Sequence, residues 1–364
     1  MKLFAAAAFG LTLVLFAQQT TMSVEEYDPK SKLVVPEHEV KRAKFPFIDV
    51  HNHQRNVSPE KLDQLIKDMD SLNMQILVNS PVGNGSGAWF ENAVKMMESH
   101  SPKRFAVMTN IDYKDMDDPG YGKRVAAQLE KEIKMGAVGL KVWKNLGLSL
   151  KDSKGERIHV DDPRFDPVWE MCAKYKVPVL IHTGDPQGLF EPMDKYNERW
   201  LELKLRSSRR RTPGQGDDPE WEALMQEQHN VFAKHPKTIF INAHLGWLGH
   251  DLGQLGKLLD RLPNVYTEIG AVTSELGRQP RFAKQWFIKY QDRVLFGKDR
   301  YDVPEYYTYF RLLETADEFF DPIRKYHGIW KLYALDLPDA VLKKLYYKNA
   351  LRIFSGLDTS AFPK

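Results

Sequence analysis

The stretch Phe47-Ile48-Asp49-Val50-His51-Asn52-His53 decides the reading of the chain. Its apolar part, Phe45 to Val50, has the length and composition of a buried strand. Two histidines one residue apart close it. Residues i and i+2 of a strand point to the same face. His51 and His53 are therefore expected to project together from the strand's C-terminal end, close enough to hold one metal ion. A pair of partly buried histidines without a ligand is the competing reading, and later strands decide between the two.

Working outward, strand and helix signals alternate. After Phe45–Val50 the strands are expected at 74–79, 104–110, 137–143, 177–182, 238–244, 265–269 and 294–299. Helical spacing falls between them at 59–72, 89–98, 122–135, 164–174, 219–233, 251–261 and 275–290. Ser58 is a natural N-cap for the first helix, with Pro59 at its first position. Eight strand–helix units predict a parallel sheet closed into a (β/α)₈ TIM-type barrel, with an N-terminal arm and C-terminal helices. An open doubly wound sheet competes, but no Gly-x-Gly-x-x-Gly follows the first strand. A polar insertion, Asp185 to Asp218, follows the fifth strand. The aromatic-rich segment from Pro304 to Phe354 reads as helical and packed on the outside of the barrel.

The chain has 364 residues with 42% hydrophobic and 12% aromatic side chains, enough for the core of one large barrel. A net charge of +3 gives no reason to expect nucleic acid as a partner. Met1-Lys2 followed by the apolar run Leu3 to Ala17 reads as a secretory signal peptide, with an uncleaved anchor as the competing reading. The organisation expected is therefore a signal peptide at 1–17, a linker or N-terminal arm at 18–44, a barrel at 45–355 and a tail at 356–364. The mature protein is expected outside the cytoplasm, without stable membrane insertion. The single cysteine, Cys172, forms no intramolecular disulfide. A small-molecule substrate is the expected partner, and a homo-oligomer is compatible with the sequence.

Barrel enzymes carry their chemistry at the C-terminal ends of the strands. Strand one ends in His51 and His53, strand five in His182, strand six in His244, and strand eight in Asp299. The other histidines, His38, His100, His159, His229, His235, His250 and His327, read as surface or loop residues.

This constellation resembles the metal-dependent amidohydrolase superfamily. The phrases Pro178-Val179-Leu180-Ile181-His182-Thr183, Asn242-Ala243-His244-Leu245-Gly246 and Leu295-Phe296-Gly297-Lys298-Asp299 are similar to its amidohydrolase-related branch. That branch holds hydrolases and non-oxidative decarboxylases, aminocarboxymuconate semialdehyde decarboxylase among them. The resemblance implies that His51, His53, His182 and Asp299 bind one divalent metal ion, zinc being the commonest. It places His244 beside that ion as an acid/base or water-orienting group, with Asp299 as the other catalytic residue. The donor set suits zinc, and such a metal polarises a substrate oxygen or activates water. The resemblance implies hydrolysis of an ester, lactone or amide of a small anionic substrate, with decarboxylation of an unsaturated or aromatic acid as the alternative. A non-catalytic binding barrel is a third reading.

Lys141, on strand four, stands where binuclear relatives use a carboxylated lysine; a substrate carboxylate is its other expected partner. Lys298 adds a cation beside Asp299. Trp89, Trp143 and Trp247 lie near strand ends and are candidate pocket walls. Arg199, Lys204, Arg206 and Arg209-Arg210-Arg211 in the insertion suggest either a basic lid over an anion, with Arg199 binding substrate, or a solvated charge run.

Overall fold

A computed structural model describes residues 22–24, 26–55, 57–214 and 217–363. The segment read as a signal peptide lies outside them. Among the described residues no helix is long and apolar enough to cross a membrane. The chain divides into two units, one ending at Val34 and one running from Val35 onward. Among the described residues the first contains a turn, with Tyr27 N–H donating to Ser23 O at 3.2 Å.

The second unit is built on parallel strands. In chain order these are β1 (Phe47–Asn52), β2 (Met74–Asn79), β3 (Phe105–Val107), β4 (Thr109–Asn110) and β5 (Leu140–Val142). They continue with β6 (Val179–Ile181), β7 (Phe240–Asn242), β8 (Val265–Glu268) and β9 (Val294–Leu295). Hydrogen bonding joins β1-β2-β3 and β4-β5-β6-β7-β8-β9. Only Met108 separates β3 from β4, so they act as one barrel strand. On the other side Val50 N donates to Phe296 O at 3.0 Å and Asp299 N to His51 O at 2.6 Å. The order thus returns to its start as a (β/α)₈ barrel. All six residues of β1 are buried, as strands covered on both faces must be.

Local chemistry explains the elements around it. The helix Pro59–Leu72 starts where the Ser58 side chain accepts from Lys61 N, and it stops at Asn73 in the left-handed region (φ 70°). The helix expected over 275–290 is two: Thr273–Gly277 and Pro280–Lys289. Pro280 lacks an N–H and disfavours helical backbone before it, so the chain breaks there.

The C-terminal segment departs further from expectation. The helix Val303–Glu314 is followed by largely irregular chain up to Pro338, and helical structure resumes at Asp339. Pro322, Gly328 and Pro338 break that stretch, and Phe319 and Asp336 lie in the left-handed region. The segment is not merely an outer layer. Phe310 and Tyr346 pack on Phe47 of β1 at 5.5 and 5.9 Å between ring centroids. The Tyr306 hydroxyl reaches Asp49 inside the barrel at 2.6 Å. Among its described residues the insertion after β6 contains one short helix, Trp200–Leu205, and two single turns, Gln187–Leu189 and Ser207–Arg209.

Candidate active site

The barrel brings β1 and β9 together at their C-terminal ends, and with them His51, His53 and Asp299. The Nε2 atoms of His51 and His53 are 3.2 Å apart. Asp299 Oδ1 lies 3.1 Å from His53 Nε2 and 3.7 Å from His51 Nε2. His51, His244 and Asp299 also offer ligand atoms that all lie within 4.8 Å of one another. The His182 and His244 rings approach to 4.5 Å between centroids. Strand ends far apart in sequence thus converge on one point.

The hydrogen bonds fix which nitrogens face that point. His53 Nδ1 lies 2.6 Å from the Ser80 carbonyl, and His244 Nδ1 lies 2.8 Å from the Gly270 carbonyl. A carbonyl only accepts, so both Nδ1 atoms donate to it and both Nε2 atoms are left to face the centre. His51 Nδ1 lies 3.0 Å from Glu268 Oε1, which gives it the same orientation. Burial, reinforced by Lys141, lowers His51 to about 3, so its imidazole is neutral. His182 is likewise held well below the ordinary value, chiefly by burial. Both of its ring nitrogens and His244 Nε2 are buried without a hydrogen-bond partner. Burial alone would raise Asp299, but the His53 hydrogen bond and neighbouring imidazoles hold it well below the usual carboxylate range. Imidazole nitrogens turned toward one point and an ionised carboxylate form a donor set that fits a divalent metal.

Two carboxylates that the sequence reading missed hold this centre in place. Glu268, the last residue of β8, is fully buried. Besides His51, it accepts from His244 N at 2.6 Å and Gly270 N at 2.5 Å. Burial pushes Glu268 up, and these donors outweigh it and keep the group ionised. Gly270 and Gly297 make room for it: a Cβ there would lie 2.8 and 2.6 Å from Glu268 Oε2. Asp49 accepts from His51 N and Lys298 N, both at 3.1 Å, and from Asn52 Nδ2 at 2.8 Å, in addition to Tyr306. Burial raises it to about 6 in spite of those bonds. The signal for both was present. Asp49 precedes His51 by two residues on the same strand face, and Glu268 ends its strand as the histidines end theirs.

The turn after β7 is strained. His244, Leu245, Gly246 and Trp247 all have φ between 54° and 60°. For each non-glycine residue this costs roughly 1–2 kcal/mol. The turn aims the His244 ring inward and stacks Trp247 on it, with centroids 4.5 Å apart and planes inclined by 22°.

Lys141 is fully buried, and its Nζ lies 2.9 Å from His51 Nε2, inside the centre. Burial brings its ammonium down to about 8. Trp143 stands 5.6 Å from the His53 ring and 5.5 Å from that of His182. Arg199 does not present a free guanidinium: it is bound to Glu202 at 3.1 Å and Glu275 at 2.6 Å. Arg209 and Arg211 are tied to Asp185, and Arg209 also to Glu202. Lys298 donates to Glu305 at 2.5 Å. These cations are compensated by carboxylates of the protein itself. Among the remaining histidines, His235 is buried and paired with Asp166 at 2.9 Å, not a surface residue.

The amidohydrolase family profile matches residues 48–356. No curated protein sequence matches the chain. Several solved structures are similar. A dihydroxybenzoic acid decarboxylase from Polaromonas sp. JS666, with bound manganese and the inhibitor 2-nitroresorcinol, shares 16% identity at a TM-score of 0.53, covering 86% of this chain and 97% of that one. A 5-carboxyvanillate decarboxylase from Sphingomonas paucimobilis shares 13% identity at a TM-score of 0.51, covering 86% and 99%. A 2,6-dihydroxybenzoate decarboxylase from Rhizobium shares 16% identity at a TM-score of 0.50, covering 85% and 99%. At these identities the likeness supports the barrel and nothing finer. The family profile spans most of the chain, which belongs to the amidohydrolase family of enzymes.

Proposed function

We propose that the protein is a metal-dependent carboxy-lyase that removes carbon dioxide non-oxidatively from an aromatic or unsaturated carboxylic acid. His51, His53, His182 and Asp299 hold the metal, which we assign as zinc from the three imidazoles and one carboxylate. The bound ion supplies positive charge that polarises a substrate oxygen and stabilises negative charge developing there.

The observation that carries this reading is His244. Its Nδ1 is committed to the Gly270 carbonyl, and its buried Nε2 has no partner. Such a nitrogen can hold a proton and deliver it to a substrate carbon. In a decarboxylation the carbon bearing the carboxylate takes the proton from His244. The carbon–carbon bond then breaks, carbon dioxide leaves, and its bonding pair stays with the product. His244 regains a proton from solvent. Trp143 and Trp247, 5.5 and 5.6 Å from the His182 ring, supply flat walls suited to an aromatic ring. Lys141 places a cation where the substrate carboxylate would sit. The similar solved structures include decarboxylases of hydroxylated aromatic acids, which agrees with this choice.

Hydrolysis is the second reading, and the same nitrogen supports it. His244 would take a proton from water and return it to the leaving group of an ester, lactone or amide. Assaying a panel of aromatic carboxylates and lactones separates the two. Carbon dioxide release from a carboxylate with no acid formed from the lactones is the expected result. Acid formation without carbon dioxide would overturn it in favour of hydrolysis. We also propose export, carried by the run Leu3 to Ala17. N-terminal sequencing of the native protein should start beyond Ala17, and a soluble cytosolic form that retains Met1 would refute it.

A further inference from the structure

Asp299 is the most exposed of the proposed metal ligands. Its side chain keeps 32% of its surface, against 0% for His51 and 10% for His53, and His182 is buried. The same residue lines a cavity of about 20 Å³ set between Lys298-Asp299-Arg300, the start of the helix Thr273–Gly277, and Arg324. Asp299 therefore belongs to both the centre and the cavity. A space of that size takes a small polar substituent and not a ring.

The charges around the cavity do not cancel. Lys298 donates to Glu305 Oε2 and to the Arg300 carbonyl, both at 2.5 Å, and Asp49 and Asp302 are further negative neighbours of it. The other oxygen of Glu305 takes Arg324 Nη2 at 3.4 Å, one long hydrogen bond for a guanidinium with five donors. Asp299 is turned to His53 and the proposed metal. His327 carries no charge, because burial and the surrounding arginines bring it down to about 2. The Tyr309 hydroxyl accepts from Ala271 N at 2.8 Å. That leaves Arg300. It is exposed, and among the described residues it pairs with no carboxylate, Asp302 included. An ammonium would meet Arg300 and Arg324 as like charges and find both lining carboxylates engaged. A carboxylate answers the uncompensated charge, and its two oxygens match the planar fork of a guanidinium. Thr273 and Ser274 add hydroxyls that can donate to it.

We propose that Arg300, with Arg324 on the same cavity wall, is a specificity-determining residue that binds a second carboxylate of the substrate. The acid turned over then carries two carboxylates, the reacting one at Lys141 and the other in this cavity. The inference rests on the reading of the His244 centre as the place of reaction, and its test reads binding, so that the two can fail separately. Dissociation constants of phthalate, isophthalate, terephthalate and their monomethyl esters are measured by titration calorimetry on the purified protein. Each ester keeps the shape of its diacid and one of its two charges. At least one isomer should bind about tenfold more tightly than its ester, the worth of roughly one charge-assisted hydrogen bond. Arg300→Met should bring that preference to within about twofold of unity, with the affinity for the ester as in the wild type. Arg324→Met should reduce the preference partway. Arg206→Met removes another exposed cation, one outside the cavity, and should leave it intact. No preference for any isomer, or a preference that survives in Arg300→Met, would overturn the subsite. So would a matching loss of ester affinity in Arg300→Met, which would put Arg300 on the reacting carboxylate, or an equal fall in Arg206→Met, which would reduce the effect to general charge. Carbon dioxide release from monocarboxylates without any diacid preference would overturn the subsite and leave the centre standing. A diacid preference that depends on Arg300, in a protein that releases no carbon dioxide from any acid, would keep the subsite and sink the carboxy-lyase reading.

Discussion

Replacing Glu268 by glutamine should loosen the metal centre without touching any of its ligands. Glu268 Oε1 takes His51 Nδ1 at 3.0 Å and His244 N at 2.6 Å, and Oε2 takes Gly270 N at 2.5 Å. A glutamine can leave its oxygen on one side only. Its NH₂ group must then oppose an N–H donor in a site with no exposure. Each charge-assisted hydrogen bond lost is worth about 1.5–3 kcal/mol, and a buried donor left unmet costs about 1–3 kcal/mol. The variant should therefore lose roughly 2.5–6 kcal/mol of stability in the metal-free state. Whichever way the amide turns, the His51 Nδ1–H loses its charged acceptor, so metal affinity should fall about 10–100-fold. The assay is competition against a chromophoric chelator, with thermal unfolding of the stripped protein as the control. Glu268→Asp keeps the charge but shortens the reach, and should fall between the two. Metal affinity within about twofold of the wild type in a folded Glu268→Gln protein would refute the positioning role, since outer partners of ligands typically cost far more.

Further expectations concern neighbouring parts of the site and one distant ion pair. His244→Asn should keep about one metal ion per chain while kcat falls about 10²–10⁴-fold, as for loss of a general acid–base; metal leaving with activity would make His244 a ligand instead. Gly297→Ala places a Cβ 2.6 Å from Glu268 Oε2 and 2.9 Å from His51 Cβ, so it should cost about 1–3 kcal/mol by overpacking, and an unchanged melting temperature would contradict that. Glu227 accepts from Arg157 at 2.6 Å and from Val160 N at 3.0 Å; burial alone would raise it, but these donors hold it below its ordinary value. A lowered folded-state pKa contributes stability that is present above the unfolded value, about 4.3, and is lost as pH falls below it. Glu227→Gln should flatten that acid limb in thermal melts, and an unchanged limb would refute the assignment.

Much of the barrel was legible because strand and helix periodicities differ and because histidines punctuate the strand ends. Where the reading failed, a local rule was overridden or overlooked. Pro280 splits a helix that apolar spacing alone made continuous. The prolines and Gly328 between Thr315 and Pro338 interrupt a segment whose aromatic content suggested helix. The basic run in the insertion suggested an anion site, yet its partners Asp185, Glu202 and Glu275 lie far from the arginines in sequence or carry no motif. Charge compensation of that kind is a property of the fold. His244 was legible as a strand-end residue, but its left-handed turn was not, since Asn-Ala-His-Leu-Gly has one glycine and four consecutive residues with positive φ begin at His244. Glu268 ends its strand next to Ile269 and Gly270 and has no histidine beside it to draw attention.

The proposed chemistry needs a metal ion held at the ends of β1, β6 and β9, and elemental analysis of the purified protein tests that most directly. The wild-type chain should carry about one divalent ion, zinc by our assignment, with His182→Ala retaining little of it while still folding. Full occupancy in His182→Ala would remove that residue from the ligand set, and a folded wild-type protein that neither contains nor takes up a divalent ion would contradict the account as a whole.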